Sequence, residues 1–148
     1  MIVERGDPRD PQATALLQES HALMESLFSP EDNHYLSIDA LCVPDVHFFV
    51  ARDGETVLGC GALKEKSGYG EIKSMFTAEQ GRGKGVASAI LTQIEAEARD
   101  LKLTMLMLET GDALHAAHRL YQRHGFIICG PFGDYEENAS SLFMEKSL

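Results

Sequence analysis

A glycine-rich loop between a predicted strand and a long predicted helix is the feature that most constrains the fold of this chain. Residues 80–87 read Gln-Gly-Arg-Gly-Lys-Gly-Val-Ala. Glycines at alternate positions leave bare backbone, which can approach a ligand closely and adopt dihedral angles closed to other residues. The N-terminus of the next helix carries about half a positive charge and unpaired N–H groups, and both favour phosphate. Arg82 and Lys84 add two full charges, so the loop predicts a site for a phosphorylated cofactor.

Two common phosphate-binding loops fit this stretch poorly. A Walker A loop needs Ser or Thr directly after Gly-Lys, whereas Lys84 is followed by Gly85. A Rossmann fingerprint belongs to the first βαβ unit of a domain, with an acidic residue about 20 positions later, whereas this loop follows several predicted strands. A glycine-rich turn that is basic by chance is the remaining alternative, and the clear strand and helix on either side disfavour it.

Hydrophobic periodicity and turn residues predict one α/β domain over residues 1–148, a length that suits a single core. Strands are predicted over 1–5, 47–52, 56–65, 71–77, 101–108, 126–129 and 141–146. Helices are predicted over 11–27, 35–41, 84–100 and 113–124, the first capped by Asp10 and the third marked by an apolar stripe from Val86 to Ala98. Because strands precede and follow the third helix, we expect an α/β sandwich with a central mixed sheet flanked by helices.

Composition narrows the classes of partner. The net charge of −10 argues against nucleic acid, which demands a basic surface. An acidic surface attracts cationic small molecules such as amines, although it is equally explained by solubility alone. The three cysteines, Cys42, Cys60 and Cys129, are far apart and form neither a zinc motif nor a disulfide framework. With no run that could span a bilayer and no signal-peptide pattern, we expect a cytoplasmic protein without a membrane partner.

A second motif, Leu-Tyr-Gln-Arg-His-Gly-Phe over residues 120–126, follows the loop. The two motifs, in this order and spacing, resemble the cofactor-binding segments of the GNAT N-acetyltransferase family. The resemblance covers roughly residue 48 to the C-terminus, while residues 1–45 match only in outline. It implies a mostly antiparallel sheet that splays apart between residues 71–77 and 103–109, with acetyl-CoA in the gap.

The resemblance also implies which residues bind acetyl-CoA. The pyrophosphate is expected at Gln80, Gly81, Arg82, Gly83, Lys84, Gly85, Val86 and Ala87. The backbone at the end of the preceding strand, Met75, Phe76 and Thr77, is expected to pair with the pantetheine arm and the acetyl oxygen. Many relatives carry an Asn shortly before the helix of the catalytic Tyr; here that segment is Thr-Gly-Asp-Ala-Leu over 110–114, which puts that one contact in doubt.

Acetyl transfer to an amine needs a base for the amine, stabilisation of the oxyanion and a proton for the leaving thiolate, but no covalent enzyme intermediate. The resemblance places the hydroxyl of Tyr121 near the cofactor sulfur as general acid, and its helix stripe with Leu114 and Ala117 turns the ring inward. Glu71, at the start of the strand before the loop, ranks first as base, and Glu109, at the end of the neighbouring strand, is the alternative. A water chain without a single base is also compatible.

The acceptor site is expected in the variable segments, at His34, Tyr35, Phe132 and Tyr135, with Gly133 and Asp134 beside them. No metal is expected, because His115 and His118 are three residues apart but lack a third ligand in view. The leading hypothesis is an acetyl-CoA-dependent N-acetyltransferase acting on a small amine or amino acid. The rivals are an acyl-CoA sensor without turnover and a protein-modifying acetyltransferase. The oligomeric state is left open, and a homodimer is compatible.

Overall fold

A seven-stranded sheet with helices on both faces forms the molecule, and the computed structural model describes all residues from 1 to 148. The strand order is β1-β2-β3-β4-β5-β7-β6, and every neighbouring pair is antiparallel except β4 and β5. The strands are β1 Ile2–Arg5, β2 Val46–Asp53, β3 Thr56–Glu65, β4 Gly70–Thr77, β5 Met105–Gly111, β6 Ile127–Cys129 and β7 Ser141–Ser147. The helices are α1 Pro11–Leu27, α2 Val86–Asp100 and α3 His115–Arg123, with 3₁₀ turns at Pro30–Asp32, Asp39–Cys42 and Glu79–Gly81. The predicted mixed, mostly antiparallel α/β sandwich is confirmed.

Two apolar cores, one on each face of the sheet, hold the helices in place. On one face α1 buries Leu16 and Leu17 against β2 and β3. On the other face α2 buries the predicted stripe from Val86 to Ala98 together with Tyr121 of α3. The Asp10 side chain accepts a hydrogen bond from the Gln12 N–H and starts α1, as the sequence predicts. None of the helices is long and apolar enough to cross a membrane.

The sheet opens between β4 and β5. The two parallel strands pair only at Gly70 with Leu106 and at Glu71 with Met107, and then diverge. In the diverging half of β4, a bulge opposite Cys60 and Ala62 inserts an extra residue, and Ser74 takes a positive φ of 57°. Bulges bend a strand and increase its local twist. The predicted splay is therefore present, and it begins just after Glu71.

Two predicted elements are wrong. Residues 35–41 form no helix beyond the Asp39–Cys42 turn, because the ring of Tyr35 stacks on His21 at 4.1 Å and its hydroxyl donates to Glu25, which holds this segment extended across α1. The predicted strand 101–108 begins only at Met105. Residues 101–104 instead close the C-terminus of α2, where the Leu103 N–H donates to the Ala98 carbonyl and Lys102 takes a φ of 63°. These two features define a Schellman motif, in which the residue with positive φ is usually glycine. Because Lys102 takes that position here, the sequence gives no signal for the end of the helix.

Candidate active site

The glycine loop presents a row of free backbone donors. Gly83 and Gly85 both have a φ of 76°, and a Cβ at either position would meet no atom within 4 Å. The N–H groups of residues 83–88 donate to no acceptor in the protein, and Gly85 caps α2 without a side-chain hydrogen bond. Arg82 and Lys84 are exposed beside them. Free N–H groups at a helix N-terminus under an open surface make a site for a phosphate group.

The other residues of the predicted loop have different environments. Gly81 is buried against Leu58, where a Cβ would lie 3.1 Å from both the Cβ and the carbonyl oxygen of Leu58. A side chain here would crowd Leu58 by a few tenths of an ångström, so this glycine favours close packing against β3. Val86 is buried in the core, Ala87 is half-buried and Gln80 is exposed.

A cavity of about 110 Å³ lies in the gap between β4 and β5. Ser74 and Met75 line it from β4, Glu109 from β5 and Tyr121 from α3, while Phe76 and Thr77 lie further along β4 towards the glycine loop. The structure thus brings together Tyr121 and Glu109, two of the three predicted catalytic residues. Glu71 does not line this cavity.

Tyr121 is held by packing alone. Its side chain is 5% exposed, and its ring meets that of Phe126 edge-on at 5.7 Å. Burial raises the pKa of the Tyr121 hydroxyl, which donates to no residue of the protein. The hydroxyl therefore stays protonated over the working pH range and is free to donate into the gap.

Glu109 stands in an environment that disfavours its charge. Burial raises the pKa of Glu109, while the hydrogen bond that Ser141 Oγ donates to Glu109 Oε2 at 2.8 Å partly offsets the rise. A carboxyl group of this kind can accept a proton nearer to neutral pH than an exposed one.

Glu71 instead belongs to a buried polar network. It is 3% exposed, and its Oε2 accepts a hydrogen bond of 2.6 Å from the Tyr135 hydroxyl. The ammonium of Lys73 lies 3.3 Å from Glu71 and donates to the Tyr135 oxygen at 2.8 Å and to the His34 carbonyl at 2.9 Å. Burial, and then the bond to Glu71, raise the pKa of Tyr135. The network ties the two variable segments to β4.

A larger cavity of about 510 Å³ lies beside the gap. His34, Tyr35 and Tyr135, three of the predicted acceptor residues, line it together with Gly133 and Asp134. Phe132 does not line it: the ring is buried beneath the wall, edge-on to Tyr135 at 5.1 Å. The two cavities share Asp32, His34, Tyr35 and Lys73, so an acceptor in the larger cavity lies next to the gap.

Sequence reasoning missed two residues of this site. Lys73 lies two positions after Glu71, and strand alternation puts both side chains on one face, so a signal for it was present. Ser74 left no such signal. Its Oγ is buried without a hydrogen-bond partner, and its backbone is left-handed at the bulge.

Comparison with known proteins decides the family. The model of the Acetyltransferase (GNAT) family matches residues 13–126. The chain belongs to the GNAT family. An IAA acetyltransferase from Azospirillum brasilense is 40% identical to it over 150 residues, covering 100% of this chain and 98% of that protein. The crystal structure of an acyl-CoA N-acyltransferase from Klebsiella pneumoniae superposes with a TM-score of 0.83 at 32% identity, covering 99% of this chain and 97% of that one.

GNAT membership makes this protein an acetyltransferase, with acetyl-CoA as its co-substrate. A GNAT acetyltransferase from Elizabethkingia anophelis with acetyl-CoA bound shares the fold, with a TM-score of 0.69 at 18% identity over 99% of this chain and 97% of that one. The open glycine backbone and the free N–H groups of residues 83–88 fit the pyrophosphate of that co-substrate.

Proposed function

We propose that this GNAT acetyltransferase transfers the acetyl group of acetyl-CoA directly to the amine of a small molecule or amino acid within a ternary complex. The observation that carries the proposal is the adjacency of the two cavities. The gap holds Tyr121 and Glu109, and the larger cavity beside it, at about 510 Å³, has the size of a small-molecule site. Carboxylates on its lining favour a cationic acceptor, and they are Glu31, Asp32, Glu71, Asp134, Glu136 and Glu137.

Positioning supplies much of the rate in this proposal. The N–H groups of residues 83–88 bind the pyrophosphate, and the backbone of Met75, Phe76 and Thr77 along the splayed half of β4 pairs with the pantetheine arm. Acetyl-CoA brings an activated thioester, so the protein has to hold the acyl carbon and the amine in register. Holding two reactants in attack geometry can lower a barrier by about 7–11 kcal/mol.

Glu109 is our choice for the general base, and Glu71 for a positioning group. Two features support this order, which reverses the ranking from the sequence. Glu109 lines the gap and receives one hydrogen bond, from Ser141. Glu71 accepts a hydrogen bond from Tyr135 and lies 3.3 Å from the ammonium of Lys73, so its charge is already paired. A carboxylate that is free to accept a proton from the incoming ammonium is the better base.

Tyr121 is our choice for the group that stabilises the leaving thiolate. An ordinary thiol has a pKa of about 8.5, and burial raises the pKa of Tyr121 above its own usual value. The hydroxyl therefore stabilises the departing thiolate mainly by donating a hydrogen bond, and a solvent proton completes the thiol.

Direct transfer agrees with the state of Cys60, whose thiol contacts Ser74 on the wall of the gap. Cys60 is buried in β3 with its thiol directed at the Ser74 carbonyl oxygen, and burial raises its pKa to about 12. A thiol with so high a pKa provides almost no thiolate nucleophile at neutral pH. No acyl-cysteine relay is needed or supported.

The test is thiol release from acetyl-CoA across a panel of amines, amino acids, peptides with free N-termini and IAA, the last because a 40% identical relative is named for it. We expect release with small amines or amino acids, and N-acetylated products by mass spectrometry. Tight acetyl-CoA binding without release from any acceptor would favour the sensor, and release with peptides alone would favour the protein-modifying enzyme. We also propose a cytoplasmic location, which cell fractionation would test.

A further inference from the structure

We infer that the acceptor carries a carboxylate as well as its amine, and that Lys64 and Lys66 bind this carboxylate. The inference rests on the proposed function and narrows the acceptor from amines in general to amino acids and compounds like them. It depends on how charge is distributed around the larger cavity.

One wall of the larger cavity is basic. Lys64 pairs across the strands with Glu71, so the two side chains share a face of the sheet. Lys66 lies 3.9 Å and Lys73 3.3 Å from the same carboxylate. Two ammonium groups therefore lie within 4 Å of one carboxylate, and Lys64 stands opposite that glutamate on the neighbouring strand. Lys73 is further occupied by Tyr135 and the His34 carbonyl, whereas Lys64 makes neither a hydrogen bond nor an ion pair.

The other walls are acidic. Asp32 comes from the turn after α1, and Asp134, Glu136 and Glu137 come from the loop before β7. Asp32 lines both cavities, whereas Lys64 and Lys66 line only the larger one. An amine directed at the gap therefore has Asp32 beside it, while a carboxylate on the same molecule has the unpaired ammonium of Lys64 and the loosely paired ammonium of Lys66 within the larger cavity. A simple amine would leave Lys64 unpaired, whereas an amino acid would pair its amine with the acidic wall and its carboxylate with the basic wall.

The experiment compares amino acids with their decarboxylated counterparts, for example phenylalanine with phenethylamine and lysine with cadaverine. We expect kcat/KM to favour the amino acid of each pair by about tenfold or more, the scale of one charge-assisted hydrogen bond. Lys64→Gln should collapse this preference towards one, mainly through KM, and Lys64→Glu should invert it. Lys102→Gln makes the same charge change at an exposed lysine outside the cavity, and we expect it to keep the preference.

Two results would overturn the inference while leaving the proposed function intact. One is equal or faster turnover of the decarboxylated amines by the unaltered protein. The other is a Lys64→Gln variant that lowers kcat/KM equally for both members of each pair. If acetyl-CoA binds but no acceptor releases thiol, the proposed function fails. In that case, calorimetric titration of each amino acid and its decarboxylated amine in the presence of CoA tests whether the site binds a carboxylate. The inference is overturned if the amino acid binds no better than its amine.

Discussion

At the scale of single residues, the buried carboxylate of Glu109 lowers the stability of the folded protein at neutral pH. An unfolded glutamate has a pKa of about 4.3, and burial raises the pKa of Glu109 above that value in the folded protein. Between the two values the folded state binds more protons than the unfolded state, so this group lowers the free energy of unfolding as pH rises through that window. The cost is absent below the unfolded pKa and complete above the folded one.

Glu109→Gln should therefore stabilise the protein at neutral pH. Glutamine has no charge to bury, and its oxygen can still accept the hydrogen bond from Ser141. We expect the melting temperature of the variant to exceed that of the unaltered protein at pH 7, with the gain shrinking towards zero near pH 4. Glu55→Gln, at an exposed turn position, is the control and should show no such trend. A gain that grows as the pH falls would contradict the sign of the pKa shift.

Glu109→Gln should also remove the part of the pH dependence of kcat/KM that comes from titration of Glu109. For a good acceptor, kcat/KM should rise with pH through one group and then level off, and burial places the midpoint above that of an exposed carboxyl group. We expect Glu109→Gln to lower this plateau more than Glu71→Gln does, because in our proposal Glu109 takes the proton, whereas Glu71 holds Lys73 and Tyr135. A larger loss from Glu71→Gln would exchange the two roles, and unchanged plateaus in both variants would assign deprotonation to solvent.

Tyr121→Phe tests the proposed hydrogen bond to the thiolate separately from the fold. The Tyr121 hydroxyl donates to no residue of the protein, so its removal should change the melting temperature little. We expect kcat to fall by about 10²-fold, the scale for loss of one donor to a developing negative charge, with acetyl-CoA affinity nearly unchanged by calorimetry. If the variant kept its full kcat, the Tyr121 hydroxyl would have no role in catalysis and the ring would serve packing alone.

At the scale of elements, the glycine loop makes a prediction with an internal control. Gly83→Val places a branched side chain at a φ of 76°, over the open surface where the pyrophosphate is expected. Gly54→Val does the same at a φ of 60° in the β2–β3 turn, also with no atom within 4 Å of its Cβ. Each should cost about 1–2 kcal/mol of backbone strain, but only Gly83→Val should weaken acetyl-CoA binding, by tenfold or more in calorimetry. Equal losses of affinity in both variants would place the pyrophosphate elsewhere.

Elements with strong local signals could be predicted from the sequence, and elements set by distant contacts could not. The buried stripe of α2 and the glycine loop are local patterns of spacing, and both are present. The extended segment around Tyr35 depends on a stacked ring from α1, and the end of α2 uses Lys102 where glycine is usual. The bond between Glu71 and Tyr135 joins residues 64 positions apart, so no local pattern could reveal it.

At the scale of the whole molecule, the splayed sheet explains why one site can hold two substrates. β4 and β5 diverge after two residue pairs, and this opens the gap towards the glycine loop. The opposite face of the same strands carries the core under α2, which includes Ile72, Leu106 and Leu108. The larger cavity adjoins the gap through His34, Tyr35 and Lys73. In the proposed mechanism, co-substrate and acceptor therefore have separate places that meet beside Glu109 and Tyr121.

Following the acetyl group itself tests this account most directly. The protein is mixed in a single turnover with acetyl-CoA labelled in the acetyl group and with the best acceptor from the amine panel, and all species are analysed by mass spectrometry. The account predicts that the label moves to the acceptor nitrogen and that at no time does the protein carry it. Label that stays on CoA despite tight binding of both molecules, or label that resides on the protein before it reaches the acceptor, would contradict direct transfer in the gap.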